Sequence, residues 1–148
     1  MKKIKKKDML FIVTVFLVVI LDQSTKFLAR KFVALNQSIP IIKNIFHLTL
    51  VYNTGASFGM FKSMNFLFIL ISLIVIGFFV YYYNKLPRPK LVSAFILAGV
   101  IGNLVDRIAF GFVVDFLDFR IWPVFNVADS CISVGVVLLV FHLWKGKM

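Results

Sequence analysis

Met9-Leu-Phe-Ile-Val-Thr-Val-Phe-Leu-Val-Val-Ile-Leu-Asp22-Gln-Ser-Thr-Lys26-Phe-Leu28 decides the class of this chain. About 20 helical residues cross the roughly 30 Å hydrocarbon core of a bilayer. This run has that length, and its charges fall only near its far end. Three more stretches match it, at about Met64–Tyr83, Leu91–Phe110 and Val127–Trp144. The 148 residues are 61% hydrophobic and only 16% charged, which is more apolar surface than a water-soluble fold of this size can hide. Composition also excludes a disordered chain and a disulfide scaffold, since Cys131 has no possible internal partner. The expected architecture is one all-α integral-membrane domain over residues 1–148, with four transmembrane helices. Its outer segments are expected at about 29–63 and 111–126.

The basic N-terminus followed by an apolar run is similar to a signal peptide. The run is too long for one and no small-residue cleavage site follows, so it is read as a retained first span. Asn84-Lys-Leu-Pro87-Arg-Pro89-Lys90 forces a short break between the second and third spans.

A net charge of +11 would point to nucleic acid in a soluble protein. In an apolar chain, it marks the loops that face the cytoplasm. Lys2, Lys3, Lys5, Lys6, Lys7, Lys85, Arg88, Lys90, Lys145 and Lys147 fall on one side. Arg30, Lys31, Lys43, Lys62 and Arg120 fall on the other, in much longer segments. Both termini are therefore expected in the cytoplasm, with no nucleic-acid partner. Trp122 and Trp144 are expected at opposite interfaces.

All six acids are Asp, and an acid in a membrane segment is costly. At 1.5 Å per residue, Asp22 lies about 20 Å from the inner face, Asn103 about 18 Å and Asp106 about 22 Å. Asp115 follows the third span, and Asn126 and Asp129 open the fourth. Apart from Asp8 and Asp118, the acids thus share one layer near the outer interface. Asn103, Asp106 and Arg107 share a helix face at i, i+3 and i+4. A polar face at this depth points into the bundle or a wet cavity.

Structural roles are the first alternative for these residues. Asp22 and Lys26 are spaced to form an ion pair, and Asp106 and Arg107 are candidates for another. Asn126 is placed to cap the fourth span, with Asp129 at the positive end of its dipole. Asp118 reads as a solvated interface residue. His47, His142 and Cys131 read as interfacial or core side chains.

Among chemical roles, no metal-ligand spacing of the His-Glu-x-x-His kind and no phosphate-cradling loop is present. Ser24, Ser57, Ser63 and Ser130 lie in the right layer, but Asp22 makes Lys26 a poor base for any of them. Neither His is placed to activate Cys131. Paired carboxylates remain. Two Asp sharing a site cannot both ionise, so one activates water while the other donates a proton, without metal or cofactor. Asp115 and Asp129 are the natural pair.

Asp22-Gln-Ser-Thr-Lys26, Asn53-Thr-Gly55-Ala-Ser-Phe-Gly59, Gly102-Asn-Leu-Val-Asp-Arg107, Val113-Val-Asp-Phe116 and Phe125-Asn-Val-Ala-Asp-Ser130 form an ordered set of boxes. The set resembles the lipoprotein signal peptidase (signal peptidase II) family of bacterial membrane aspartyl proteases, over nearly the whole chain. The resemblance implies cleavage of prolipoproteins on the N-terminal side of a diacylglyceryl-modified Cys, at the outer face of the bacterial cytoplasmic (inner) membrane. It implies Asp115 and Asp129 as the catalytic dyad. Asn53, Gly55, Asn103, Asp106, Arg107, Asn126, Asp22 and Lys26 take substrate-binding or supporting roles. It also implies a small β-cradle after the first span, with which alternation in Ile39–Phe61 is compatible. Prolipoprotein and membrane lipid are the expected partners of a monomer. Ser57 stands where a second Ala is common in the family. The segment between Asp118 and Asn126 is shorter than expected, which bears on the length of an outer amphipathic helix or flap.

Two other classes make different demands. A small transporter or proton relay would spread its acids across the bilayer depth and carry an internal repeat. An assembly factor would use the polar layer only to hold helices together.

Overall fold

The computed structural model describes residues 6–55, 64–87 and 90–145. Helix α1 (Lys6–Phe32) is followed by strands β1 (Ser38–Ile42) and β2 (Phe46–Asn53), then α2 (Asn65–Tyr81) and a 3-10 turn (Tyr83–Lys85). Helix α3 (Lys90–Phe110), strand β3 (Val113–Asp118) and helix α4 (Val127–Lys145) complete the order. Helices α1, α3 and α4 are long and apolar enough to cross a membrane. With 17 residues, α2 is about 26 Å long and shorter than the span expected at Met64–Tyr83. It stops because Tyr83–Lys85 tighten into the 3-10 turn, and Leu86, preceding Pro87, is forced extended at φ −57°, ψ 139°.

Helix α3 is the hub against which the other three pack. Its buried face carries a run of small residues, Ser93, Ala94, Ala98, Gly99 and Gly102, among larger ones. Small residues let helix backbones approach closely where lipid supplies no hydrophobic drive. A Cβ on Gly99 would strike the Ala128 carbonyl, and one on Gly135 would lie 2.6 Å from Ile96 Cγ1. These contacts run α4 antiparallel to α3. The remaining faces of α1, α2 and α4 leave large apolar side chains exposed, such as Phe16, Ile74 and Val137. Such surfaces suit lipid and not water.

At the end of the bundle where the chain begins, Asp8 accepts from the Tyr83 hydroxyl at 2.8 Å and pairs with Lys90 at 3.3 Å. Burial, then the Asp8 carboxylate, pushes the Tyr83 hydroxyl up to about 12. The Lys90 ammonium lies 3.5 Å from the Tyr83 ring centre. This closes α1 against the α2–α3 connection.

At the other end lies a three-stranded antiparallel sheet of order β1-β2-β3. The cradle implied after the first span is present, but its third strand comes from Val113–Asp118, beyond the expected stretch. Gly111, at φ +80°, ends α3 and turns the chain into β3. Val51 pairs with Asp115 and Asn53 with Val113. Leu50, Val114 and Phe116 fill a core against Ala29 of α1 and Val33 just past its end. The segment after β3 forms no helix. It turns at Arg120 (φ +66°) and returns through an isolated bridge between Leu117 and Phe125.

Candidate active site

Helix α4 begins with a reciprocal cap. Asn126 Oδ1 accepts from the Asp129 backbone N at 2.8 Å, and Asp129 Oδ2 accepts from the Asn126 backbone N at 3.3 Å. The capping reading of this spacing is correct, and it leaves the Asn126 amide free for a second task. Asn126 Nδ2 donates to Asp115 Oδ1 at 2.6 Å. One fully buried residue thus joins Asp115 on β3 to Asp129 on α4.

Each carboxylate is held by neutral donors. Asn53 Nδ2 donates to Asp115 Oδ2 at 3.0 Å, and Asn103 Nδ2 donates to Asp129 Oδ1 at 2.8 Å. The sheet register explains the first contact, since Asn53 lies opposite Val113 and so diagonal to Asp115. Asn53 Oδ1 also accepts from Gly55 N at 3.0 Å, fixing the start of the glycine box. Burial and then the charge of Asp129 push the Asp115 carboxyl up to about 7, against the pull of Asn53 and Asn126.

Lys26 does not reach this pair. Its ammonium is bound to Asp22 Oδ2 at 2.8 Å, Asp106 Oδ2 at 3.0 Å and Asn103 Oδ1 at 3.0 Å. That uses its three N–H donors. The Asp22–Lys26 pair expected from spacing is present. The pairing of Asp106 with Arg107 is not: Asp106 faces Lys26. Arg107 instead reaches the Gly55 carbonyl at 3.5 Å, and its guanidinium stacks 4.9 Å from the Phe68 ring centre. Adjacent helical residues diverge, so one faces the bundle and the other α2.

Asp118 departs from the solvated reading. It is not solvated but 4% exposed, and accepts from the Thr49 hydroxyl at 2.6 Å and from Arg120. Burial opposes its charge, but these donors outweigh it and hold the carboxyl below its ordinary value. Gln23 was not singled out by sequence reasoning. Its Nε2 contacts Asp22 Oδ2 at 3.1 Å and Asp106 Oδ1 at 3.0 Å. Its place inside the Asp22–Lys26 box was the available signal.

Among the described residues no group of three or more His, Cys, Asp or Glu side chains is arranged to hold a metal. Ser57, Gly59, Ser63, Lys62, Arg88 and the lysines at positions 2, 3, 5 and 147 lie outside the described residues. Beside the aspartates, a groove of about 660 Å³ runs down α4 to Ile132 and Val134, walled by Phe119, Ile121 and Trp122, and opens on Asp129. An apolar wall that ends at a carboxylate suits a substrate that is partly lipid-embedded. The half-buried Asp129 and the buried Asp115 are two carboxyl groups bridged by one asparagine, an arrangement chemically able to take a proton from water and to give one.

Residues 14–145 match the family described as signal peptidase (SPase) II. A lipoprotein signal peptidase of Halothermothrix orenii is 49% identical over 136 residues, covering 90% of this chain and 94% of that protein. One from Caldanaerobacter subterraneus subsp. tengcongensis is 50% identical over 140 residues, covering 91% and 97%. A bacterial membrane enzyme solved by the in meso method at 2.3 Å superposes with a TM-score of 0.84 at 30% identity, covering 93% of this chain and 88% of the other. With its membrane helices, three-stranded sheet at one end of the bundle and buried aspartates, the chain belongs to the signal peptidase II family of membrane proteases.

Proposed function

We propose that this protease removes signal peptides from prolipoproteins by aspartic catalysis on Asp115 and Asp129, cutting N-terminal to a diacylglyceryl-modified Cys. The observation that carries the reading is the Asn126 bridge, which brings carboxylates from a strand and a helix under one residue. The two share one proton, because two carboxylates at one buried site, with no cation among the described residues bound directly to either, do not both ionise.

In the reaction, the ionised carboxylate takes a proton from water as its oxygen attacks the scissile carbonyl. The protonated partner donates to the carbonyl oxygen. Collapse of the tetrahedral intermediate breaks the C–N bond: the proton taken from water passes to the leaving amine, and a hydroxyl of the intermediate returns a proton to the partner carboxylate, which restores the dyad. Asn53, Asn103 and Asn126 orient the carboxylates, and Arg107 positions the Gly55 loop. The groove along Phe119 and Trp122 gives a route from the lipid side.

The bundle end with Lys6, Lys7, Lys85, Lys90 and Lys145 faces the cytoplasm of the bacterial cell, so both termini lie inside and the sheet outside. The test is cleavage of a purified diacylglyceryl-modified precursor in detergent. Asp115→Asn and Asp129→Asn are each expected to abolish product while leaving the protein folded. Retained cleavage by either variant would overturn the dyad.

A further inference from the structure

Two carboxylates outside the proposed chemistry each hold one backbone N–H. Both N–H groups belong to the residue just before a dyad aspartate. Asp106 Oδ2 accepts from Val114 N at 2.9 Å, and Asp115 follows. Asp22 Oδ1 accepts from Ala128 N at 2.8 Å, and Asp129 follows. Both acceptors are buried, at 1% and 0% exposure, so neither contact is exchanged with water. The distance between these two carboxylates therefore bears on the distance between β3 and the start of α4 at the position where each carries its aspartate.

Lys26 joins the two carboxylates electrostatically, but an ammonium is a point charge that allows each to swivel about it. Gln23 adds direction. Its Nε2 lies 3.1 Å from Asp22 Oδ2, 3.0 Å from Asp106 Oδ1 and 3.1 Å from the Gly102 carbonyl. With Gln23 on Oδ1 and Lys26 and Val114 N on Oδ2, the plane of the Asp106 carboxylate is fixed on both oxygens. Gly102 permits the close approach, since a Cβ there would lie 2.6 Å from Asp22 Oδ2.

We infer that Gln23 is a positioning residue for the hydrolytic step: it sets the geometry of Asp22 and Asp106 and, through the Val114 and Ala128 N–H groups, the separation of Asp115 and Asp129. The inference rests on the dyad reading above. It assigns Gln23 no contact with substrate, so it predicts an effect on turnover and not on substrate binding.

The test compares wild type, Gln23→Leu, Gln23→Asn and Thr25→Val in the precursor-cleavage assay, each first checked for folding by its thermal transition. Thr25 lies on the same helix, and its hydroxyl bonds only to α1 carbonyls among the contacts described, so Thr25→Val serves as the control for the folding of α1. Gln23→Leu is expected to lower kcat about 100-fold, the scale of a misplaced catalytic group, with KM within about twofold of wild type. Gln23→Asn keeps the amide but is one methylene short, and is expected to fall between the two. A folded Gln23→Leu with wild-type kcat, or one that raises KM and leaves kcat alone, would overturn the inference. If Gln23→Leu does not fold, Gln23→Asn decides by the same split. If neither folds while Thr25→Val does, the residue is structural and the inference fails. A wild type that does not cleave, or an active Asp115→Asn, would instead sink the dyad reading.

Discussion

Replacing Lys26 with Met removes the cation that two buried carboxylates share while keeping most of the apolar stem. Lys26 is 2% exposed, and Asp22 and Asp106 are 0% and 1% exposed. Removing one partner of a buried pair costs about 3–5 kcal/mol, because an uncompensated charge is left behind. Here two carboxylates are left facing one another, so the upper part of that range is expected. For a chain of this length each kcal/mol moves the thermal midpoint by about 2–4 °C, which gives a fall of roughly 6–20 °C. The measurement is thermal unfolding in a fixed detergent, followed by circular dichroism. The triple variant Asp22→Asn, Lys26→Met, Asp106→Asn supplies the internal check. Each Asn retains an oxygen that can accept from Ala128 N or Val114 N, while the stranded charges are gone. Its midpoint is expected well above that of the single variant. A Lys26→Met midpoint within about 2 °C of wild type, or a triple variant no more stable than the single, would refute the charge argument.

A reaction that needs one proton on the dyad loses rate as that proton leaves. The Asp115 carboxyl, pushed up to about 7, holds its proton below that pH and yields it above, so kcat is expected to fall roughly tenfold per unit well beyond it. A kcat profile still flat near about pH 9 would contradict this. Asn53→Ala removes a donor that favours the ionised form, so its descending limb should move to higher pH, and an acid shift would count against the assigned contact. The Asp118 carboxyl is held low, so its contribution to stability is in place above the ordinary carboxylate value near 4 and is lost as pH falls through its own lower value. The gap in midpoint between wild type and Asp118→Asn should therefore shrink in acid, and a gap that widens would reverse the sign. Gly102→Ala forces a methyl against Asp22 Oδ2 and is expected to cost about 1–3 kcal/mol. Gly77→Ala on α2 meets nothing within 4 Å and should be neutral or stabilising by up to about 1 kcal/mol, so equal effects at the two sites would refute the packing argument.

What could be read in the chain follows the range of the physics involved. The apolar runs and the common depth of Asp22, Asp106 and Asp129 depend on position along a helix, which spacing encodes directly. The cap formed by Asn126 and Asp129 is likewise local, at i and i+3. Strand β3 was not legible, because Val113–Asp118 becomes a strand by pairing with β2 from far along the chain. Asp118 read as solvated for the same reason: its partner Thr49 lies 69 positions away. Asp106 and Arg107 failed differently. Both are charged and adjacent, yet their side chains leave the helix about 100° apart, so adjacency predicts divergence and not pairing. Gln23 was overlooked because a neutral amide is a weak signal beside Asp22 and Lys26. Its significance appears only when the acceptors at Gly102 and Asp106 are brought to it.

The arrangement also separates two uses of carboxylate in one buried layer. Asp22 and Asp106 share an ammonium, and Lys26 spends its three donors on them and on Asn103. Asp115 and Asp129 receive hydrogen bonds from Asn53, Asn103 and Asn126 and from no cationic donor among the described residues. An ammonium set between them would favour both ionised forms and remove the acid that the proposed reaction directs at the carbonyl oxygen. Amide donors orient a carboxyl group without supplying a full opposing charge, so the proton remains available to balance the pair. Asn103 stands at the boundary: its oxygen accepts from Lys26 and its nitrogen donates to Asp129. The same side chain that completes the cation's coordination thus turns a neutral donor toward the proposed dyad, and the depth of Asn103 on α3 marks where the cation-bound pair ends and the amide-bound pair begins.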